Sequence, residues 1–62
     1  MVPSKTLIDK MDTAIAGMRE ILNNRHLTAE VQVADINLYC WLVVQLALEL
    51  QRSVADELRG LE

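Results

Sequence analysis

The segment INLYCWLVVQLAL, from Ile36 to Leu48, contains no charged residue and only two amides, Asn37 and Gln45. It also lacks proline and glycine, so nothing in it interrupts a helix. A helix that is apolar on every side must be covered on every side. What covers this segment therefore decides how the chain folds and assembles.

The segment forms the centre of a longer predicted helix, residues 29–59, with Thr28 as the expected N-cap. No proline or glycine occurs in this helix, and Gly60 follows directly after it. Spacings of four and three define one apolar seam: Ile36, Cys40, Val43, Ala47, Leu50 and Val54. Two further apolar strips follow the same helix: Trp41, Val44 and Leu48, and then Leu38, Tyr39, Leu42 and Leu46. The helix is therefore apolar in three directions.

The first half of the chain predicts a shorter helix over residues 5–23, with Ser4 as its N-cap and Asn23-Asn24 ending it in the left-handed conformation. Its apolar residues form one face: Leu7, Met11, Ala14, Met18 and Ile21, with Ile8, Ile15 and Leu22 on one side. Gly17 within this helix indicates either a small loss of helix stability or a point of close approach to another element. This helix is amphipathic, with one face to bury.

A connection as short as residues 24–27 predicts that the two helices are antiparallel neighbours. The longer helix should then overhang by roughly 18 Å, at ~1.5 Å per residue, and Leu50, Val54, Leu58 and Leu61 are expected on the overhang. One hairpin leaves these residues and two apolar strips uncovered. We therefore predict an all-α fold in which residues 1–62 form a single helical-hairpin domain, paired as a homodimer resembling a four-helix bundle.

Chain length supports pairing, because chains below roughly 70–80 residues usually need disulfides, a metal or oligomerisation to complete a stable core. A single cysteine excludes an intrachain disulfide, and one Cys with one His cannot complete a protein-only zinc site. The predicted dimer interface is the seam Ile36, Cys40, Val43, Ala47, Leu50 and Val54. The candidates for binding a partner are Tyr39, Trp41, Leu58 and Leu61, because aromatic anchors are typical of interaction hot spots.

No residue pattern in the chain indicates catalysis, a metal or a cofactor. Cys40 and His26 are the only possible nucleophile and base, and they fall on different elements, with the cysteine inside the apolar segment. The two amides Asn37 and Gln45 have two open readings: buried groups that fix register, or side chains that point outward. We predict that the protein is not an enzyme.

The favoured function is a small cytoplasmic protein-binding module, a helical homodimer that inhibits, sequesters or tethers a partner protein. Small acidic helical proteins of this sort are common among phage, plasmid and other regulatory inhibitors. The net charge is −3, with +1 over residues 4–26 and −4 over residues 27–62. That asymmetry favours packing of the two halves and argues against an extended phosphate-binding surface.

Two alternatives stay open. The first is an RNA- or DNA-binding hairpin dimer, whose layout resembles the plasmid copy-number regulator that binds RNA loops; only length and hairpin layout carry the resemblance. Acidic residues interrupt the basic ones of the first helix, which makes nucleic acid an unlikely partner. The second is an accessory subunit that docks its overhang into a larger complex. A membrane span is not expected, because thirteen residues cover ~20 Å and a span needs about 20 residues.

Overall fold

The computed structural model describes residues 2–60, and within them two α-helices pack side by side as an antiparallel hairpin. Helix α1 spans Ser4–Asn23 and helix α2 spans Ala29–Gly60. The hairpin is a rod with principal extents of 52 × 14 × 13 Å. The predicted all-helical hairpin is confirmed, and each predicted boundary lies within one residue of the observed one.

The N-terminus of α1 differs from the prediction. Pro3 occupies the N-cap position, and Ser4 is already helical, with its Oγ buried and without a hydrogen-bond partner. The Ser4 N–H instead donates to Oε1 of Glu57, at 3.0 Å, so a carboxylate from the far end of α2 caps α1. A carboxylate at this position also faces the positive end of the helix dipole. The prediction of a Ser4 side-chain cap is therefore wrong.

The side chains of Thr28 and Gln32 help to hold the turn between the helices. Oγ1 of Thr28 accepts a hydrogen bond from the N–H of Val31, at 3.3 Å, which confirms Thr28 as the N-cap of α2. Nε2 of Gln32 donates to the carbonyl oxygens of Ile21, at 3.0 Å, and of Asn24, at 3.2 Å. Both carbonyls also accept backbone N–H groups, Ile21 from Asn24 at 3.2 Å and Asn24 from Leu27 at 3.4 Å, so the Gln32 amide adds to bonds that the backbone already makes.

The α1 helix ends at Asn23 as predicted, but by a different conformation. Asn24 is extended, with φ −84° and ψ 103°, and residues 2–60 include no positive φ. Oδ1 of Asn24 accepts a hydrogen bond from the N–H of His26, at 3.0 Å. The side chains of Asn24 and Gln32 thus replace the left-handed residue that the asparagine pair predicts.

The core between the helices is narrow. Leu7, Ala14 and Leu46 are the buried apolar residues of the described chain, and Leu7 is completely enclosed. On α2, an inner stripe faces α1 and is buried or half-buried: Ile36, Tyr39, Val43, Leu46, Leu50 and Ser53. So small a core gives little stability by itself, because domains of this size already bury a low fraction of their surface.

Gly17 is a point of close approach between the helices. A Cβ placed on Gly17 would lie 2.8 Å from Cζ and Oη of Tyr39, so the tyrosine ring rests directly on the α1 backbone. This contact confirms the close approach anticipated at Gly17. It also sets the register, because it fixes Tyr39 of α2 opposite Gly17 of α1.

The overhang of α2 is shorter than predicted. Oγ of Ser53 donates to the carbonyl oxygen of Val2, at 2.8 Å, so the covered part of α2 reaches residue 53. Leu50 is half-buried inside this covered part, and its assignment to the overhang is wrong. Residues 54–60, all exposed, form a projecting end that we call the free end, about 10 Å long at ~1.5 Å per residue, and only the Glu57 carboxylate reaches back from it to the Ser4 N–H. Leu61 lies outside the described residues.

Candidate interaction surface

Exposed apolar side chains, and not a cleft with polar groups, are the conspicuous surface feature of the hairpin. Thirteen large apolar residues among the described ones are exposed, against three buried apolar residues. Soluble monomers seldom expose contiguous apolar patches of such extent unless something binds there. The candidate site is therefore a surface for macromolecular contact.

One patch combines residues from both helices. Helical residues advance about 100° each, so Ile8, Ile15 and Leu22, seven residues apart, share one side of α1. Because the helices are antiparallel, that side adjoins the side of α2 that carries Cys40, Val54 and Leu58. We call this patch the shared face; its members are Ile8, Ile15, Leu22, Val33, Cys40, Val54 and Leu58, all exposed.

A second patch lies on α2 alone, on the side away from α1. We call it the outer face; its members are Leu38, Trp41, Val44 and Leu48, all exposed. Trp41 is 62% exposed and lines a shallow groove with Asn37, Cys40 and Val44. A largely exposed tryptophan on an apolar helix face fits the anchor of a protein contact.

The residues predicted for the dimer interface divide between two environments. Ile36, Val43, Ala47 and Leu50 are half-buried within the hairpin, while Cys40 and Val54 are exposed. The seam therefore runs along the boundary between the inner stripe and the shared face. Ile36, Val43 and Leu50 also belong to the inner stripe, and as half-buried residues they still present part of their surface outward.

The residues predicted for partner binding also separate. Tyr39 is half-buried over Gly17 and helps to hold the hairpin together. Trp41 and Leu58 are exposed, one on the outer face and one on the free end of α2. The structure thus brings Trp41 and Leu58 to the surface and leaves Tyr39 between the helices.

The amides of the apolar segment, whose placement the sequence leaves open, both face outward in the hairpin. Asn37 and Gln45 are exposed, and neither side chain makes a hydrogen bond within residues 2–60. The amide that does fix a structural detail is Gln32, at the turn. Its role depends on the ends of two helices meeting, which residue spacing alone does not reveal.

The predicted interface omits Val33 and Leu58 of the shared face and all three of its α1 members, Ile8, Ile15 and Leu22. Their spacing of seven residues is a signal for a second apolar edge beside the main stripe of α1. The prediction that α1 has a single buried face did not separate this edge from the rest of that face. In the structure, α2 covers Leu7 and Ala14, and leaves Ile8 and Ile15 exposed.

Ionisable groups are scattered over the surface. Within residues 2–60 there is no cluster of three or more His, Cys, Asp and Glu side chains that could hold a metal ion. The ion pair between Arg59 and Asp56, at 3.8 Å and one turn apart, is exposed and contributes little. Lys5, Lys10, Arg19 and Arg25 are exposed, with Asp9, Asp12 and Glu20 exposed among them.

Helix α2 is long enough and apolar enough to cross a membrane, and little of its most apolar stretch is buried in the hairpin. This is weak evidence for a membrane span, because the core helix of a soluble bundle meets the same criterion. Asp35, at the edge of the apolar segment, is half-buried in the hairpin.

No protein-family model, no curated protein and no solved structure matches the chain. Its function has to be argued from its own surfaces.

Proposed function

We propose that this protein is a non-catalytic protein-binding module that acts as a helical homodimer and inhibits, sequesters or tethers a partner protein. The observation that carries the proposal is the presence of two exposed apolar faces in different directions on one small hairpin, the shared face and the outer face. A second copy covers one of them, and the partner protein binds the other.

The surface area supports the first half of the proposal. The hairpin exposes 5070 Å², whereas a compact protein of 7.0 kDa exposes about 4,000 Å². The excess of roughly 1,000 Å² exceeds the ~800 Å² that each partner contributes to a standard protein–protein interface. Pairing through the shared face removes this excess and enlarges a core that has three buried apolar residues.

The outer face supports the second half. Leu38 and Trp41 lie on the side of α2 away from α1. Trp41 adjoins the shared face at Cys40, so pairing through the shared face meets the outer face along one edge and leaves the rest of it accessible. Large aromatic side chains in an apolar surrounding contribute much of the binding free energy in protein complexes. The outer face contains no charged residue, which fits an apolar groove on a partner better than a phosphate backbone.

Analytical ultracentrifugation of the purified protein tests the homodimer, with a dimer mass as the expected result. Native mass spectrometry of the tagged protein captured from its host's lysate then tests the partner. The dimer is expected to carry a stoichiometric partner protein, which Trp41→Asp loses and the control Ala16→Asp, an exposed position on the side of α1 away from α2, retains.

Each other outcome contradicts a defined part of the proposal. A dimer with no protein attached, or one that releases its partner equally in both variants, contradicts binding through the outer face. A dimer that shifts RNA or DNA in a salt-dependent way supports the nucleic-acid alternative. A monomer inside a larger complex supports an accessory subunit, and a chain that floats only with lipid vesicles supports a membrane segment.

A further inference from the structure

The direction in which the two copies pair follows from the pattern of α2, and this inference rests on the proposed homodimer. We infer that a second copy covers the shared face in the opposite direction, so that the two α2 helices lie antiparallel around a twofold axis near residue 45. The α2 helix of the second copy then contacts the shared face along the whole length of the hairpin.

The seam has the placement that such a central position needs. Ile36, Val43 and Leu50 are half-buried against α1, and Cys40 and Val54, on the same seam, are exposed beside the shared face. Residues that lie between a helix of their own chain and an uncovered face occupy the core positions of a four-helix bundle. A second copy on the shared face encloses it from the remaining side.

The spacing of the seam reads the same in both directions. Its six residues are separated by four, three, four, three and four positions, with Gln45 at the centre. Antiparallel pairing therefore aligns them as Ile36 with Val54, Cys40 with Leu50, and Val43 with Ala47. Each layer combines a larger with a smaller side chain, as close packing requires. Pairing in the same direction would place Ala47 against Ala47 and Leu50 against Leu50, with a void beside a crowded layer.

The two ends of the hairpin complement each other in the antiparallel arrangement. At the turn end, Leu22 and Val33 are 66% and 70% exposed, and at the free end Leu58 is 57% exposed. Antiparallel pairing lays the free end of each copy across the turn end of the other, so Leu58 covers Leu22 and Val33. Both uncovered ends are thereby buried in one symmetric arrangement.

The charges at these ends have the signs that this arrangement needs. Arg25 at the turn comes to the level of Asp56 on the free end of the second copy, and Glu30 to the level of Arg59. Asp56 and Arg59 already form an exposed ion pair within each copy, at 3.8 Å, which Arg25 and Glu30 extend. All of these groups are exposed, so they contribute to orientation more than to affinity. Pairing in the same direction would instead place Glu30 near Glu30 and Arg59 near Arg59.

The single cysteine provides the test. In the antiparallel dimer, Cys40 of one copy lies at the level of residue 50 of the other, so the two Cys40 residues are about 15 Å apart along the axis. Disulfides need Cα atoms within ~7 Å. Mild oxidation should therefore leave the wild type uncrosslinked and convert most of the Leu50→Cys variant to a covalent dimer on a non-reducing gel.

The double variant Cys40→Ala, Leu50→Cys is the matched control, because its two new cysteines are again about 15 Å apart and should not crosslink. Should Leu50→Cys disturb the half-buried core, the pair Ile36→Cys and Val54→Cys in a Cys40→Ala background replaces it, with a covalent dimer expected. Circular dichroism of the reduced proteins shows which variants are folded.

The outcomes separate this inference from the proposed function. A wild type that sediments as a monomer contradicts the homodimer itself. A wild-type dimer that crosslinks through Cys40 has its copies in the same direction, which overturns the antiparallel arrangement and leaves the homodimer standing. A dimer in which no folded cysteine variant crosslinks contradicts the proposed pairing of the seam as well.

Discussion

The inner stripe and the outer face of α2 are almost equally apolar, yet the hairpin treats them in opposite ways. Leu46 on the inner stripe is 7% exposed, whereas Leu38 on the outer face is 67% exposed. Both leucines belong to the same apolar segment, and sequence places them on the same strip. The difference teaches that α1 covers one direction of α2, and that the remaining apolar surface is available for other contacts.

A charge on the inner stripe should have the largest effect. Val43→Asp places a carboxylate in the half-buried seam, and the expected result is loss of both the dimer and the helical fold. Burial of an unpaired charge costs about 4 kcal/mol or more, which is comparable to the whole stability of a small domain. Circular dichroism with analytical ultracentrifugation measures the two losses together.

Trp41→Asp on the outer face is the matched control for Val43→Asp. Trp41 is largely exposed, so this variant should keep its helical content and its dimer mass while it loses the partner protein. If Val43→Asp stays a helical dimer, the proposed seam is wrong. If Trp41→Asp unfolds, the outer face is part of the folded core.

Truncation of two leucines should reproduce the contrast at a smaller scale. Leu46→Ala removes a buried side chain and should lower the free energy of unfolding by about 2–4 kcal/mol. Leu38→Ala, the same chemical change on the outer face, should lower it by less than about 1 kcal/mol. Urea unfolding of both variants at one protein concentration measures the difference. Equal losses would show that something covers both leucines to the same extent.

A double-mutant cycle tests the contact that sets the helix register. With Tyr39 in place, Gly17→Ala should give no gain in stability, because the new Cβ meets the tyrosine ring. In a Tyr39→Ala background the same change should stabilise by about 0.5–1 kcal/mol, since alanine is the better helix former. Thermal unfolding of the four proteins gives the coupling energy. Equal gains in the two backgrounds would contradict the contact.

The smallest expected effect distinguishes the two helix N-termini. Ser4→Ala removes a buried hydroxyl without a partner and should leave stability unchanged or raise it by up to about 1 kcal/mol. Thr28→Ala removes an observed cap and should cost about 1 kcal/mol. Urea unfolding curves give the sign of the change in unfolding free energy for both variants. A loss of about 1 kcal/mol in Ser4→Ala would restore the side-chain cap that the sequence suggests.

Local signals predicted the helices well and their ends less well. The bounds of α1 and α2 follow from apolar periodicity and from the Thr28 cap, whose bond spans three residues. The capping of Ser4 by Glu57 was not predictable, because 53 residues separate the two groups. The end of α1 depends likewise on Gln32, which reaches it only after the chain has turned back.

The length of the overhang shows the same limit. A difference in helix length states how much of α2 is surplus, but not at which end the surplus lies. The register depends on the Tyr39 ring resting on Gly17 and on the bond from Ser53 to Val2. These contacts bring Leu50 under cover and leave the shorter free end from residue 54 onward.

The sequence predicted that apolar surface would be exposed, but not which residues would form it. Apolar residues in three directions around α2 predict correctly that one short helix leaves apolar surface exposed. The pattern did not show that Tyr39 turns inward while Trp41 stays out, because both belong to the same uninterrupted run. It also did not separate Leu7 and Ala14 from their exposed neighbours Ile8 and Ile15.

By itself, the sequence determined two helices, a short antiparallel turn and more apolar surface than one hairpin can bury, because period, caps and composition are local properties of the chain. Tertiary structure alone decided which apolar side is covered, where the helices meet and how α1 is capped. Those features depend on groups far apart in sequence, which find each other only when the backbones pack at the contact of Tyr39 with Gly17.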